Sequence, residues 1–357
     1  MVPIRVLVVD DAVVMRQLIK SALTEYEEIE VAGVAANGKI ALQKVQQVKP
    51  DIIIMDIEMP EMDGIETVKN LRKDYKDIPV IMFSTLTKRG AEATIDSLKA
   101  GATDYVTKPT NTRNVMEGIE AIRNQIVPRI HSLVPRANKS MPNRAATGAN
   151  LVHNSKITTP KTREIEAVCI ASSTGGPNAL PVFFEALPKN FPLPIFVVQH
   201  MPPLFPKFLA ERINRVSALP CHEARHHQHP QPGNIYIAPG DYHMSVVKAE
   251  GNLSIELSQG PPENSCRPAA DVLFRGIANT FKGKVLGLVF TGMGHDGLQG
   301  CEILSDLGAY ICVQDEASSV VWGMPGSVAK AGYADKILPL EQMAPATISL
   351  LKKLSKL

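Results

Sequence analysis

The sequence predicts two consecutive α/β domains, each built on a parallel sheet and joined by a basic linker. Three observations carry that expectation. Short β-branched runs alternate with amphipathic stretches at βαβ spacing over residues 1–127, and the pattern resumes over 164–357. The 357 residues are 45% hydrophobic, too many for one ordinary core and apolar enough for two. The formal charge of +2 is also unevenly spread. Residues 1–127 carry 16 basic and 19 acidic side chains, 164–357 carry 15 and 17, and 128–163 carry seven basic and no acidic ones. The whole positive excess therefore sits on one short stretch.

In the first segment, strands are predicted at 4–9, 29–35, 51–55, 79–83 and 103–107, with helices near 13–24, 38–48, 64–74, 88–100 and 111–125. Gly33, Gly38, Pro50, Pro79 and Gly101 punctuate the joins. Five βα units of this spacing specify a doubly wound parallel sheet whose functional edge lies at the strand C-termini. From 128 to 163, Pro128, Pro135, Pro142 and Pro160 interrupt a polar text without a sustained period, which reads as a linker. Beyond it, strands are predicted at 165–171, 194–198, 285–290 and 309–313, and helices near 177–187, 203–215, 268–280 and 297–307. Shorter strands between 220 and 257, with hairpin-like joins at Gly233-Asn234, Gly240-Asp241 and Gly251-Asn252, suggest an antiparallel insertion in a mainly parallel α/β domain.

Several classes of protein are disfavoured. No apolar run reaches the ~18 residues of a membrane span, and the start, MVPIRVLVVDD, is unlike a signal peptide. Five scattered cysteines without a CxxC pair argue against a disulfide framework and for a reducing cytoplasm. A nucleic-acid partner is not expected, because the strand-rich second domain is net acidic and the basic linker lacks interleaved aromatics.

In the first domain, chemistry-bearing residues fall on successive strand ends. Asp10 and Asp11 follow the first strand, Asp56 ends the third, Ser84 follows the fourth and Lys108-Pro109 the fifth. Any one alone would be a helix cap or loop charge. Three carboxylates in one crevice repel unless a cation joins them, and Mg²⁺ suits hard oxygen ligands with few protein donors. A central carboxylate could then accept a phosphoryl group, with Lys108 and the Ser84 hydroxyl contacting its oxygens. These residues stand in VLVVDD, DIIIMDIEMPEMDGIE, PVIMFST and GATDYVTKP, and residues 1–125 resemble a two-component receiver domain of flavodoxin-like fold. The resemblance implies that Asp56 is the phosphoacceptor. It further implies that Asp11, Asp56 and the Glu58 carbonyl hold Mg²⁺ with Asp10 nearby, that Ser84 and Tyr105 form the switch pair, and that Lys108 contacts the phosphate.

In the second domain, a strand runs into Ser172-Ser173-Thr174-Gly175-Gly176-Pro177. A serine there can be held exposed at a helix N-terminus, although such a turn more often binds phosphate or simply turns. The next strand ends at His200, and a later one leads into a glycine-rich loop carrying Asp296. Three strand ends thus deliver Ser173, His200 and Asp296 to one rim, and triads are defined by geometry rather than chain order. Backbone amides near Thr174 or Met293 would receive the oxyanion.

The phrases STGGP, QHMPP, NIYIAPGDYHM, RPAADVLF, VFTGMGHDG and EASSVVWGMPG make residues 165–350 resemble the chemotaxis-type protein-glutamate methylesterases. The resemblance implies hydrolysis of γ-glutamyl methyl esters on membrane chemoreceptors and deamidation of particular receptor glutamines. It also implies a histidine kinase as phosphoryl donor, and a receiver that restrains the catalytic rim until Asp56 is phosphorylated. Register with STGG places the nucleophile at Ser173, with Ser172 as its confusable neighbour. Two departures from the family pattern are Ala171-Ser172 before the nucleophile and His295 before Asp296.

The run Cys221-His-Glu-Ala-Arg-His-His-Gln-His229 looks like a metal cluster, and His222 and His226 at i,i+4 would suit zinc on a helix. The prolines that follow favour a strand-to-turn surface segment instead. A DNA-binding regulator and a non-catalytic adaptor are the rival readings of the whole chain. The seven basic linker residues are expected to draw the chain toward an acidic receptor bundle or membrane surface.

Overall fold

The computed structural model describes residues 2–109, 114–135, 160–162, 164–249 and 251–354. The chain divides into two compact units, Met1–Ala145 and Ala146–Leu357. Among the described residues no helix is long and apolar enough to cross a membrane.

The first unit alternates β1 (Ile4–Val9), α1 (Val13–Thr24), β2 (Ile29–Ala35), α2 (Gly38–Val48), β3 (Ile52–Asp56), α3 (Gly64–Asp74), β4 (Val80–Ser84), α4 (Lys88–Lys99), β5 (Asp104–Thr107) and α5 (Val115–Leu133). Its strands pair in the order β2-β1-β3-β4-β5, all parallel. Helices cover both faces, so β3 and β4 are buried at every residue, and their apolar runs end in the polar Asp56 and Ser84. Asn37, Asp63, Thr87 and Asn114 cap four of the helices by accepting an amide of the first turn.

The linker expectation needs trimming at its start. Helix α5 continues through Pro128 to Leu133 because Ile126, Val127 and Ile130 are buried in the same core as β1 and β3. A helix-interior proline costs about 3 kcal/mol, and burying an isoleucine or valine returns about 1.5–3 kcal/mol each. At the other end, Lys161 donates to the Ala309 carbonyl and pairs with Asp335, tying residues 160–162 to the second unit. Most of 128–163 lies outside the described residues.

The second unit comprises β6 (Ala167–Ser172), α6 (Gly176–Glu185), β7 (Ile195–Gln199), α7 (Phe205–Asn214), β8 (Cys221–Glu223), β9 (Ile235–Ile237), β10 (His243–Ala249), β11 (Asn252–Ser258), α8 (Ala270–Phe281), β12 (Val285–Val289), α9 (Leu298–Asp306), β13 (Tyr310–Gln314), α10 (Met324–Ala331), β14 (Lys336–Leu338) and α11 (Leu340–Lys353). Seven strands form one parallel sheet in the order β14-β13-β12-β6-β7-β9-β8, and β10 and β11 form a separate antiparallel hairpin. Of the three hairpin-like joins only Gly251-Asn252 is one. β8 and β9 pair in parallel at the sheet edge, so Gly233 serves a loop, and Gly240 joins β9 to β10 of a different sheet. The run β14, α10 and α11 has no counterpart among the predicted elements.

In both units the first strand of the sheet is flanked on its two sides by strands reached in opposite directions: β1 by β2 and β3, and β6 by β7 and β12. Such switch points open a crevice at the strand C-termini. Asp10, Asp11, Asp56, Ser84 and Lys108 gather at the first crevice, and Ser173, His200 and Asp296 follow strand ends at the second.

Candidate functional site

In the first crevice, Asp10 and Asp56 are buried and Asp11 is exposed, and each offers a carboxylate oxygen within 4.8 Å of the others. Lys108 Nζ bridges two of them, 3.0 Å from Asp10 Oδ2 and 2.8 Å from Asp56 Oδ2. The Asp56 carboxylate also accepts the Ile57 amide at 2.8 Å. Burial raises the Asp56 carboxyl to about 6, with Asp10 adding to the push and Lys108 opposing it. A cavity of about 290 Å³ is lined by Asp11, Asp56, Glu58, Ser84 and Lys108, among others. The Ser84 hydroxyl donates to the Gly90 carbonyl at 3.1 Å, and Tyr105 is buried on β5, beside β4. The three-carboxylate donor set and the incomplete neutralisation by one lysine fit Mg²⁺.

In the second crevice, β6 lies between β7 and β12, and their ends are tied by backbone bonds. His200 N donates to Ser172 O and Ser173 N to Thr291 O, both at 3.1 Å. Ser173 and His200 are thus the first residues beyond two paired strand ends. Ser173 precedes the Gly175 cap of α6, whose φ of +82° lets the chain turn directly into the helix. Crowding is severe here: a Cβ on Gly292 would lie 2.9 Å from Ser173 Cβ, and one on Gly176 would lie 2.0 Å from Gln199 Oε1.

The ion pair closes from β12. His200 Nε2 lies 2.7 Å from Asp296 Oδ2, and Asp296 is 3% exposed. Asp296 is held by four further donors: Ala270 N at 2.6 Å on Oδ2, and Asn264 Nδ2 at 2.8 Å, Gly297 N at 3.0 Å and Asp271 N at 3.1 Å on Oδ1. Two of these amides open α8, so the positive helix end faces the carboxylate. Burial alone would raise the Asp296 carboxyl, but the hydrogen bonds from His200 and these amides outweigh it and hold it below the usual carboxylate range. Burial likewise favours neutral His200, but its contacts with Asp296 and Cys266 raise it.

Sequence reasoning missed five residues that build this geometry. Gln199 accepts the Ser172 hydroxyl at 2.7 Å and donates to the carbonyls of Ser173 and His200 at 2.9 and 3.2 Å. Ser172 is therefore a buried structural partner, distinct from the less buried Ser173. A tight turn, Glu263–Cys266, is closed by reciprocal backbone bonds, and Glu263 grips Arg275 of α8 with two bonds of 2.6 Å. From this turn Asn264 donates to both Asp271 and Asp296, and Cys266 Sγ sits 3.5 Å from His200 Nδ1. All five cysteines are free, and Cys266 is the one that is not buried.

The histidine run is the strand-to-turn surface segment expected, and the i,i+4 pair of His222 and His226 does not form. His222 lies on β8 and reaches Asn234 at 3.3 Å, whereas His226 and His227 meet Glu256. The reason is local: the chain leaves β8 at Glu223 for a turn, so helical spacing has no meaning there. His295 is exposed beside Asp296.

Comparison with known proteins assigns both units to known families. The response regulator receiver domain family matches residues 6–120, and the CheB methylesterase family matches residues 168–347. A Trichodesmium erythraeum protein named protein-glutamate methylesterase/protein-glutamine glutaminase is 48% identical over 344 residues, covering 96% of this chain and 98% of that one. A protein of the same name from Nocardioides sp. is 47% identical over 356 residues, covering 99% and 96%. The crystal structure of the Thermotoga maritima CheB methylesterase catalytic domain is 41% identical, with a TM-score of 0.51 over 52% of this chain and 99% of that one. Two family domains in this order, matched end to end by such relatives, place the chain in the protein-glutamate methylesterase/protein-glutamine glutaminase family.

Proposed function

We propose that the chain is a phosphorylation-activated serine esterase acting on methyl-accepting chemoreceptors, where it hydrolyses glutamate γ-methyl esters and deamidates specific glutamines. This gives adaptation in a chemotaxis-type pathway, in the cytoplasm, with a histidine kinase as phosphoryl donor. The observation that carries the reading is the buried 2.7 Å pair between His200 and Asp296 at the switch point, with Ser173 on the neighbouring strand end.

Because Asp296 takes Nε2, Nδ1 is the nitrogen that receives the Ser173 proton. Ser173 Oγ attacks the γ-carbonyl carbon, and the oxyanion is met by amides at Thr174 or Met293 and by the N-terminus of α6. The C–O bond to the methoxy group then breaks, and the imidazolium returns its proton to release methanol. Water, deprotonated in turn by His200, hydrolyses the acyl-serine to leave a glutamate side chain and restore the serine. With a glutamine substrate the leaving group is ammonia. Cys266 shares Nδ1, so a bulky group on its sulfur would deny that nitrogen to Ser173. Treatment with iodoacetamide is expected to lower activity at least ~10-fold in the wild type but not in Cys266→Ser, each measured against its untreated self. Equal losses in both would remove Cys266 from the site.

In the receiver, Asp56 attacks the phosphoryl donor, and Lys108 and Ser84 contact the transferred oxygens. Mg²⁺ held by Asp11, Asp56 and the Glu58 carbonyl, with Asp10 beside it, would offset the charge of the carboxylates and the phosphoryl group. Ser84 and Tyr105 transmit the change, which needs only a few kcal/mol of preference between a restrained and an active arrangement. A small phosphodonor with Mg²⁺ is expected to raise methanol release from methylated receptor membranes by about 5–150-fold in the wild type and to leave Asp56→Asn unchanged. An equal response of the two proteins would refute the control scheme.

A further inference from the structure

Among the described residues, one cluster of metal-ligating side chains outside both crevices has no part in the esterase chemistry. His226 and His227 are consecutive and exposed, yet their rings lie 3.7 Å apart on the same side of the chain. Consecutive side chains in extended backbone point to opposite faces. His227 escapes this by adopting φ +59°, a left-handed conformation that β-carbon sterics disfavour outside Gly, Asn and Asp. The loop is held there by the β10–β11 hairpin. His227 N donates to Ile255 O at 2.8 Å, and Ile255 N donates to Gln228 O at 2.9 Å. This pairing brings Glu256 of β11 up to both rings, its Oε1 3.1 Å from His227 Nδ1 and its Oε2 3.5 Å from His226 Nδ1. One donor atom from each residue lies within 4.8 Å of the others.

We propose that His226, His227 and Glu256 form a binding site for a divalent transition metal of the zinc class. Two imidazoles and one carboxylate are a borderline nitrogen–oxygen donor set, which selects Zn²⁺, Ni²⁺ or Cu²⁺ over Mg²⁺ or Ca²⁺. Zinc ligands stand at about 2.0–2.2 Å from the ion, so the two exposed imidazoles and the half-buried Glu256 carboxylate close by roughly an ångström to bind it. His226 Nδ1 at present accepts the Leu257 amide at 3.0 Å, a bond the metal–imidazole bond would replace. Solvent completes the coordination shell at this open position. The ion would staple the loop after β8 to the hairpin. That hairpin packs on α8, with Thr280 Oγ1 donating to the Val246 carbonyl at 2.7 Å.

The test is a ZnCl₂ titration of the full chain, free of affinity-tag histidines, chelator-treated and held in saturating Mg²⁺ to occupy the receiver carboxylates. Calorimetry is expected to give one equivalent bound. His226→Ala, His227→Ala and Glu256→Gln should each weaken binding at least ~10-fold, while His222→Ala and His229→Ala stay within about twofold. Zn²⁺ should also raise the Tm of the wild type and not that of the His226→Ala/His227→Ala double variant. Absence of saturable binding, or equal affinity in the wild type and the three ligand variants, would overturn the site. So would a loss in the two control variants as large as in the ligand variants.

Discussion

Replacing Ser173 by alanine is expected to lower methanol release from methylated receptors by on the order of 10⁴-fold or more, with Tm little changed. The side chain is partly exposed at the rim, so its removal leaves no buried polar group unpaired. Ser172→Ala is the informative contrast. Ser172 is fully buried and donates to Gln199 Oε1 at 2.7 Å, while the Gln199 amide nitrogen holds the carbonyls on either side of the catalytic crevice. Losing that hydroxyl leaves a buried acceptor unsatisfied, a cost of about 1–3 kcal/mol that calorimetric or denaturant unfolding would register. Activity should fall far less than in Ser173→Ala, since only the positioning of the nucleophile is disturbed. The two serines are therefore separated by opposite signatures, one kinetic and one thermodynamic. An inactive Ser172→Ala beside an active Ser173→Ala would transfer the nucleophile to Ser172.

What the sequence made legible is what ends an apolar run. β3 is IIIMD, β4 is VIMFS and β6 is AVCIAS, so Asp56, Ser84 and the Ser172-Ser173 pair stand out as polar residues at the edge of buried strands. His200 and Asp296 follow two other such runs, and βαβ spacing alone sends all of these to strand C-termini. The positioning residues obey no such local rule. Asn264 and Cys266 sit in an irregular segment 32 and 66 residues from Asp296 and His200, and meet them only because the turn is pinned to α8 by Glu263 and Arg275. Spacing also cannot tell which imidazole nitrogen faces the carboxylate. The same blindness explains Pro128, where burial of the flanking residues overrides a local breaker, and β8 with β9, where turn-like Gly233-Asn234 stands between strands that pair in parallel. Around His222 and His226 the prolines that follow are a better guide than i,i+4 spacing, since the chain leaves β8 for a turn.

Asp296→Asn is expected to cost about 10⁴-fold in turnover, and the hydrogen bonds around the carboxylate say why. Oδ2 accepts from His200 Nε2 and Ala270 N, while Oδ1 accepts from Asn264 Nδ2, Asp271 N and Gly297 N. All five groups are donors, so the amide nitrogen of asparagine must face donors whichever way it turns. Facing His200, it would force Nε2 to accept and move the ring proton to Nδ1, the nitrogen that has to take the proton of Ser173. Facing Asn264, it would leave up to three donors unpaired, which Tm would report. The pH dependence gives a second reading. Asp296 stabilises the imidazolium, so the His200 pKa is raised and the wild-type rate should climb with pH until the neutral imidazole predominates. Removing the charge should slide that acid limb to lower pH while lowering the plateau. For stability the signs run oppositely for the two partners. The depressed Asp296 contributes above its unfolded pKa and is lost as pH falls toward its folded one. The raised His200 contributes below its unfolded pKa and is lost as pH rises through its folded one. The stabilisation that Asp296→Asn removes is therefore greatest between the unfolded pKa values of the two groups, near ~4 and ~6.5, and fades on either side. A pH–rate profile whose acid limb does not move, together with a Tm difference flat across pH, would mean that Asp296 neither orients nor charges His200.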